Sequence, residues 1–152
     1  MISVLLALAL QAAPVPVCTA TVAPPAGLEA WGTVSAIAMG PIAIGQTTGL
    51  MLRPVDKVTF TPAPSRAPRP GTFGGAYQVA VTTAGTYRIA LEAGAWIDVV
   101  RDGKVLESVA HAEGPSCSGI RKIVDFALAP GRYAIQLSGA KAAPMRILIA
   151  AK

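Results

Sequence analysis

The pattern Gly-x-Tyr-x-Ile-x-Leu occurs twice, at Gly85 to Leu91 and again at Gly131 to Leu137. Successive side chains of a strand point to opposite faces, so Tyr87, Ile89 and Leu91 line one face, as do Tyr133, Ile135 and Leu137. Each copy follows another alternating run, Val79-x-Val81 or Val124-x-Phe126-x-Leu128, across a turn rich in Gly, Pro or Thr. The spacing therefore predicts a β-hairpin used twice. Two such units with one apolar face each predict an antiparallel sandwich closed over a shared core.

Composition agrees with that reading. The chain has 152 residues, enough for one core. Apolar residues make up 53%, much of it alanine and valine, while 15 Gly and 13 Pro favour short strands and turns over long helices. The expected fold class is all-β: an antiparallel two-sheet β-sandwich of jelly-roll type, with about eight or nine strands. The 13 Lys and Arg exceed the 8 Asp and Glu, but they are scattered from Arg53 to Lys152. Without a dense basic stripe interleaved with aromatics, no nucleic-acid partner is expected.

Residues 1–12 read as a secretory signal. Ile2 to Leu10 is apolar and uncharged, Gln11-Ala12-Ala13 follows it, and cleavage is expected after Ala12 even though no Lys or Arg precedes the run. Nine residues are too few to span a bilayer, so no membrane span is expected and the protein is placed in the periplasm or outside the cell. Residues 13–49, rich in Pro, Ala and Gly, read as an arm with short strands near Thr33 to Ala38 and Ile42 to Ile44. The sandwich proper is expected over 50–152. Strands are predicted at Leu50 to Leu52, Val58 to Phe60, Phe73 to Thr82, Ala95 to Arg101, Lys104 to Ala110, Ile120 to Leu128 and Met145 to Ala150, besides the Gly-x-Tyr pair. Within it, 61–71 carries four prolines in eleven residues and reads as an exposed, stiff, polyproline-like connection. Arg66 and Arg69 on it could meet an acidic polymer or simply face solvent. Asp102-Gly103 is the strongest hairpin signal in the chain, since both residues accept the positive φ of a type I′ turn.

Export decides how Cys18 and Cys117 are read. In an oxidising compartment they are expected to form a disulfide closing a loop of about 100 residues, worth up to about 4.7 kcal/mol on the chain-entropy model. Two buried thiols, or ligands to a metal, are the alternatives.

Candidates for chemistry are few. His111, the one histidine, shares a short stretch with Glu113 and Cys117, so three potential metal ligands fall within seven residues. Ser108, Ser116 and Ser118 lie near it, yet no nucleophile elbow or spaced carboxylate accompanies them. Asp98 stands mid-strand between Ile97 and Val99, where a carboxylate faces solvent or is paired, and Arg121 and Lys122 are the expected partners. Trp96 and Trp31 suit either core packing or a sugar-stacking platform. Trp96, Asp98, His111, Glu113 and Arg121 are thus the possible ligand-binding residues. No cofactor is expected, because no phosphate-binding glycine loop, CxxC pair or dinucleotide fingerprint occurs.

The strings Ala95 to Lys104, Cys117-Ser118-Gly119-Ile120-Arg121-Lys122 and Pro130 to Tyr133, with His111 between them, resemble a group of small exported bacterial proteins. The likeness spans roughly residues 73 to 139. Some members carry the label homogentisate 1,2-dioxygenase, which implies iron held by two histidines and a glutamate in a much longer cupin protein. This chain has one histidine, so no ligand set carries over. More loosely, the Gly-x-Tyr strands resemble bacterial pre-peptidase C-terminal domains, which implies a secreted accessory sandwich. The expectation is an exported, non-catalytic β-sandwich that binds an unidentified envelope ligand or partner, or has a structural role there. The alternative is a metal-dependent enzyme using His111 and Glu113.

Overall fold

A computed structural model describes residues 13–152; the expected signal segment, 1–12, lies outside them. Eleven strands follow in order: β1 Ala36–Ile37, β2 Thr47–Met51, β3 Arg53–Pro54, β4 Phe73–Val81, β5 Gly85–Leu91, β6 Trp96–Arg101, β7 Lys104–Val105, β8 Ala110–Ala112, β9 Lys122–Leu128, β10 Gly131–Ala140 and β11 Pro144–Ala151. They form two sheets, ordered β1-β2-β11-β5-β9-β8 and β3-β4-β10-β6-β7. All named pairings are antiparallel except β1 with β2. The expected all-β, two-sheet sandwich is present. The strands beyond eight or nine are two- and three-residue edge segments, too short to show a period in sequence.

The two Gly-x-Tyr units are not hairpins. β4 and β5 belong to different sheets, as do β9 and β10, so each turn carries the chain across the core. Val79 and Val81 still share one core with Tyr87, Ile89 and Leu91, but they face them instead of lying beside them. Alternation is identical for a hairpin and for such an arch, so the period could not separate the two. The tyrosines mark the difference. Tyr87 Oη donates to the Thr83 carbonyl at 2.6 Å and Tyr133 Oη to the Ala129 carbonyl at 2.7 Å, making two tyrosine corners. The true hairpin is β6–β7, whose Asp102 and Gly103 have φ of 51° and 72°.

The corners organise a pseudo-twofold relation. β5 is flanked by β9 and β11, while β10 is flanked by β4 and β6. Exchanging the halves β4-β5-β6 and β9-β10-β11 therefore exchanges the sheets. Ile89 and Leu91 of one central strand and Ile135 and Leu137 of the other are wholly inaccessible and belong to one cluster.

The outer faces are covered differently. On the six-stranded sheet, Ala90, Ile123, Leu148 and Ala150 point outward and are buried under Leu28 and Trp31 of the arm. Strands covered on both sides read as continuous apolar runs, which accounts for Ile147-Leu148-Ile149-Ala150. The arm is held by the Cys18–Cys117 disulfide and by Val22 N–H donating to the Cys117 carbonyl at 3.0 Å. Thr47 Oγ1 and Arg88 Nη1 donate to the carbonyls of Ala30 and Ala26, and Arg146 lies over the Trp31 ring. Gly114 lets the cysteine loop approach β9, since a Cβ there would run into the Ile120 carbonyl.

Four further expectations change. Of the arm's two expected strands, only Ala36–Ile37 pairs as a strand, and Ile42 makes a single parallel bridge to Val79. Val58 to Phe60 makes no strand; a 3-10 turn at Val55–Lys57 precedes it instead. The Lys104 to Ala110 strand divides: Lys104–Val105 pairs with β6, whereas Ala110–Ala112 crosses to pair with β9 in the other sheet. Finally, 61–71 is not a free connection but lies on the outer face of the five-stranded sheet, described below. No helix among the described residues is long and apolar enough to cross a membrane.

Two stability outcomes follow. Cys117→Ser is expected to cost about 2–4 kcal/mol and to lower Tm by roughly 5–15 °C, with the arm cleaved by protease before the sandwich; melting and limited proteolysis check this. Tyr133→Phe should cost more than the ~1 kcal/mol of Tyr87→Phe, because Tyr133 Oη also accepts from Arg101 Nη1 at 3.0 Å; paired denaturant titrations measure the difference.

Candidate functional site

Asp98 is the first polar anchor of the site. On β6, Ile97 and Val99 point into the core, so Asp98 points outward; it is nonetheless only 3% exposed. The cover is the Pro-rich segment. Ser65 N–H donates to Asp98 Oδ2 at 2.9 Å, the Ser65 hydroxyl donates to Oδ1, and Trp96 Nε1–H reaches Oδ1 at 3.1 Å and Ser65 Oγ at 2.8 Å. Next to it in the sheet, Gln136 pairs with Asp98 across β10–β6 and its Nε2 donates to the Thr61 carbonyl at 3.0 Å. A buried carboxylate needs such donors. The expected partners were different: Arg121 and Lys122 border the other sheet, and Arg121 pairs with Glu113 at 2.5 Å instead.

Fastening 61–71 to the sheet brings Arg66 and Arg69 to one end of the sandwich. The β5–β6 turn, the start of β9 and the β10–β11 turn meet there, opposite the tyrosine corners. Together they enclose an open cleft of about 780 Å³. Its walls carry Arg66, Arg69, Arg121, Lys122 and Lys141, with Trp96 between them and no Asp or Glu in the lining. The rest of the lining is made of small residues and prolines, among them Gly94, Ala95, Ser138 and Gly139.

Trp96 orders this charge. Arg66 Cζ lies 5.5 Å and Lys122 Nζ 5.3 Å from its ring centroid, within cation–π range. Lys122 Nζ also donates to the Ala95 carbonyl at 2.7 Å, tying the start of β9 to the start of β6. Burial, and secondarily the Arg66 guanidinium, hold the Lys122 ammonium below the usual lysine range. Two cations share one indole, and the cleft lining supplies no carboxylate to separate them.

The sequence-derived candidates separate spatially. Trp96 and Arg121 line the cleft, and Asp98 supports it from beneath. Glu113 reaches the cleft's margin only by pairing with Arg121. His111 is exposed on the short edge strand β8, opposite Val124. Cys117 is in the disulfide, and no group of three metal-ligating side chains occurs among the described residues. Trp31, on the arm, packs against the outer face of the six-stranded sheet in the second core. Lys122 and Lys141 went unrecognised as site residues, whereas Arg66 and Arg69 were read as loop cations that could meet an acidic polymer or simply face solvent. No local spacing could have joined segments so far apart in the chain.

No family model, curated protein or solved structure matches the chain.

Asp98→Ala is expected to destabilise the fold by about 3 kcal/mol, because it removes the charged acceptor of both Ser65 N–H and the Ser65 hydroxyl, while Trp96 Nε1–H keeps Ser65 Oγ as its partner. Trypsin then cuts at Arg66 well before global unfolding, while Arg69 stays protected by Pro70. Timed digestion with mass spectrometry checks both.

Proposed function

We propose that this is an exported, non-catalytic binding protein of the cell envelope, and that the cleft around Trp96 is its binding site for anionic ligands. The observation that carries the reading is the lining itself: five cations from three separate stretches converge with no Asp or Glu in the lining, and of the five Arg121 pairs with Glu113 at the margin. A cleft walled by one sign of charge focuses its field and raises the local concentration of opposite charge. An anion between Arg66 and Lys122 would also offset the repulsion that, after burial, contributes to lowering the Lys122 pKa. The disulfide suits an oxidising compartment. The likeness to secreted accessory sandwiches supports a binding role by analogy.

A metal-dependent reading through His111 and Glu113 gains no support from the geometry. Glu113 is committed to Arg121, and Cys117 to Cys18.

Calorimetric titration with heparin, used as a generic anionic probe, tests the proposal. Binding is expected at low ionic strength and should fade as added salt shortens the screening length to about 10 Å or less. Arg69→Glu with Lys141→Glu should weaken it by at least roughly tenfold. Reversing Lys104 and Arg132, which lie outside the cleft, should change it little. Equal losses from both pairs would mean that net charge, not the cleft, attracts the probe.

A further inference from the structure

Resting on that reading, we infer that the ligand is an acidic polysaccharide laid along the cleft, recognised through several charges at once and not through a single anion. Four of the five cations, Arg66, Arg69, Arg121 and Lys141, are exposed, and Lys122 is half-buried. One exposed ion pair contributes only about 0.2–1 kcal/mol. A lone carboxylate or sulfate therefore gains too little here to stay bound, whereas a chain carrying several gains them together, as linked sites do.

The distribution of the cations agrees. They occupy three walls of an open trough: Arg66 and Arg69 on the Pro-rich segment, Arg121 and Lys122 at the start of β9, and Lys141 on the β10–β11 turn. The Pro-rich wall is pre-set by proline and by the Asp98 and Gln136 anchors, so little ordering remains to be done on binding. A preformed trough suits an extended chain.

The same geometry selects among polyanions. Single-stranded nucleic acids are held by bases stacking on free aromatic faces. Trp96 is the cleft's one aromatic and is 36% exposed, with Arg66 and Lys122 both over its ring. An acidic peptide would bring large apolar side chains, yet the apolar residues of the lining besides Trp96 are only Ala and Pro. A lining of small residues accepts the rings of a sugar chain while the five cations take its charges.

The experiment titrates the full mature protein with galacturonate monomer, size-fractionated oligogalacturonates, neutral dextran, and single-stranded DNA of matched charge. Affinity is expected to rise at least roughly 100-fold from monomer to long oligomer, with no binding of dextran and weaker binding of DNA. Arg69→Ala with Lys141→Ala should flatten the length dependence, and unchanged circular dichroism shows the variant folded; a parallel Arg69→Lys, Lys141→Arg variant should retain it. Monomer binding as tight as the oligomer overturns the polymer inference and leaves the anion site standing. Tighter binding of DNA overturns the choice of polysaccharide. Failure of every anion, heparin included, overturns the site itself.

Discussion

A tyrosine hydroxyl near the start of each central strand donates to the carbonyl four residues upstream, at Thr83 and at Ala129. This clamps a turn in which the chain leaves one sheet and enters the other. Because both corners lie at the same end of the sandwich, β5 and β10 run into the core from that end, each flanked by two strands of the other half. The inner residues Ile89, Leu91, Ile135 and Leu137 then meet face to face. At the opposite end the connections carry no such clamp, and there the Pro-rich segment, the β5–β6 turn and the β10–β11 turn gather. Loops held by a rigid scaffold are the usual place for a binding surface.

What covers each outer face is set by the side chains that face it. Leu148, Ala150 and Ile123 offer an apolar surface, and the arm answers with Leu28 and Trp31. Asp98, Gln136 and Ser138 offer buried polar groups, which require hydrogen-bond partners. A segment poor in strand propensity, with backbone groups not spent on a ladder, can supply them, and 61–71 does so through Ser65 and Thr61. The four prolines thus do more than space two strands. They keep the segment out of the sheet, leaving it free to lie across Asp98.

Much of the sandwich was legible because its core strands alternate strictly. The fold class, the positions of most central strands, the Asp102-Gly103 hairpin and the pairing of Cys18 with Cys117 all followed from local pattern or from an even cysteine count. The connection between sheets was not legible, since Val79-x-Val81 and Tyr87-x-Ile89 alternate alike in a hairpin and in an arch. Placement of the polar site failed for a related reason. Asp98 and Arg121 looked like neighbours along a sheet, but they belong to opposite sheets, and the segment that covers Asp98 precedes it by more than thirty residues. Scatter of basic residues along the chain also concealed their convergence in space. Arg66, Arg121 and Lys141 meet because three loops share one end of the fold.

Lys122 lies beside a second cation, Arg66, over the same indole ring. Like charges on a protein surface ordinarily drift apart or recruit a carboxylate, and carboxylates lie near this cleft. Glu113 pairs with Arg121 at its margin, while Glu92, adjacent to the lining residue Ala93, instead holds Arg146 at 3.4 Å on the arm side. Arg66 and Lys122 remain together over Trp96, and burial, with Arg66 adding to it, lowers the Lys122 pKa. Asp98 and Asp125 find donors, whereas this conflict lies where the cleft opens to solvent. Departures from local consistency concentrate at sites of function. On the proposed reading, an anionic ligand would supply the missing counter-charge.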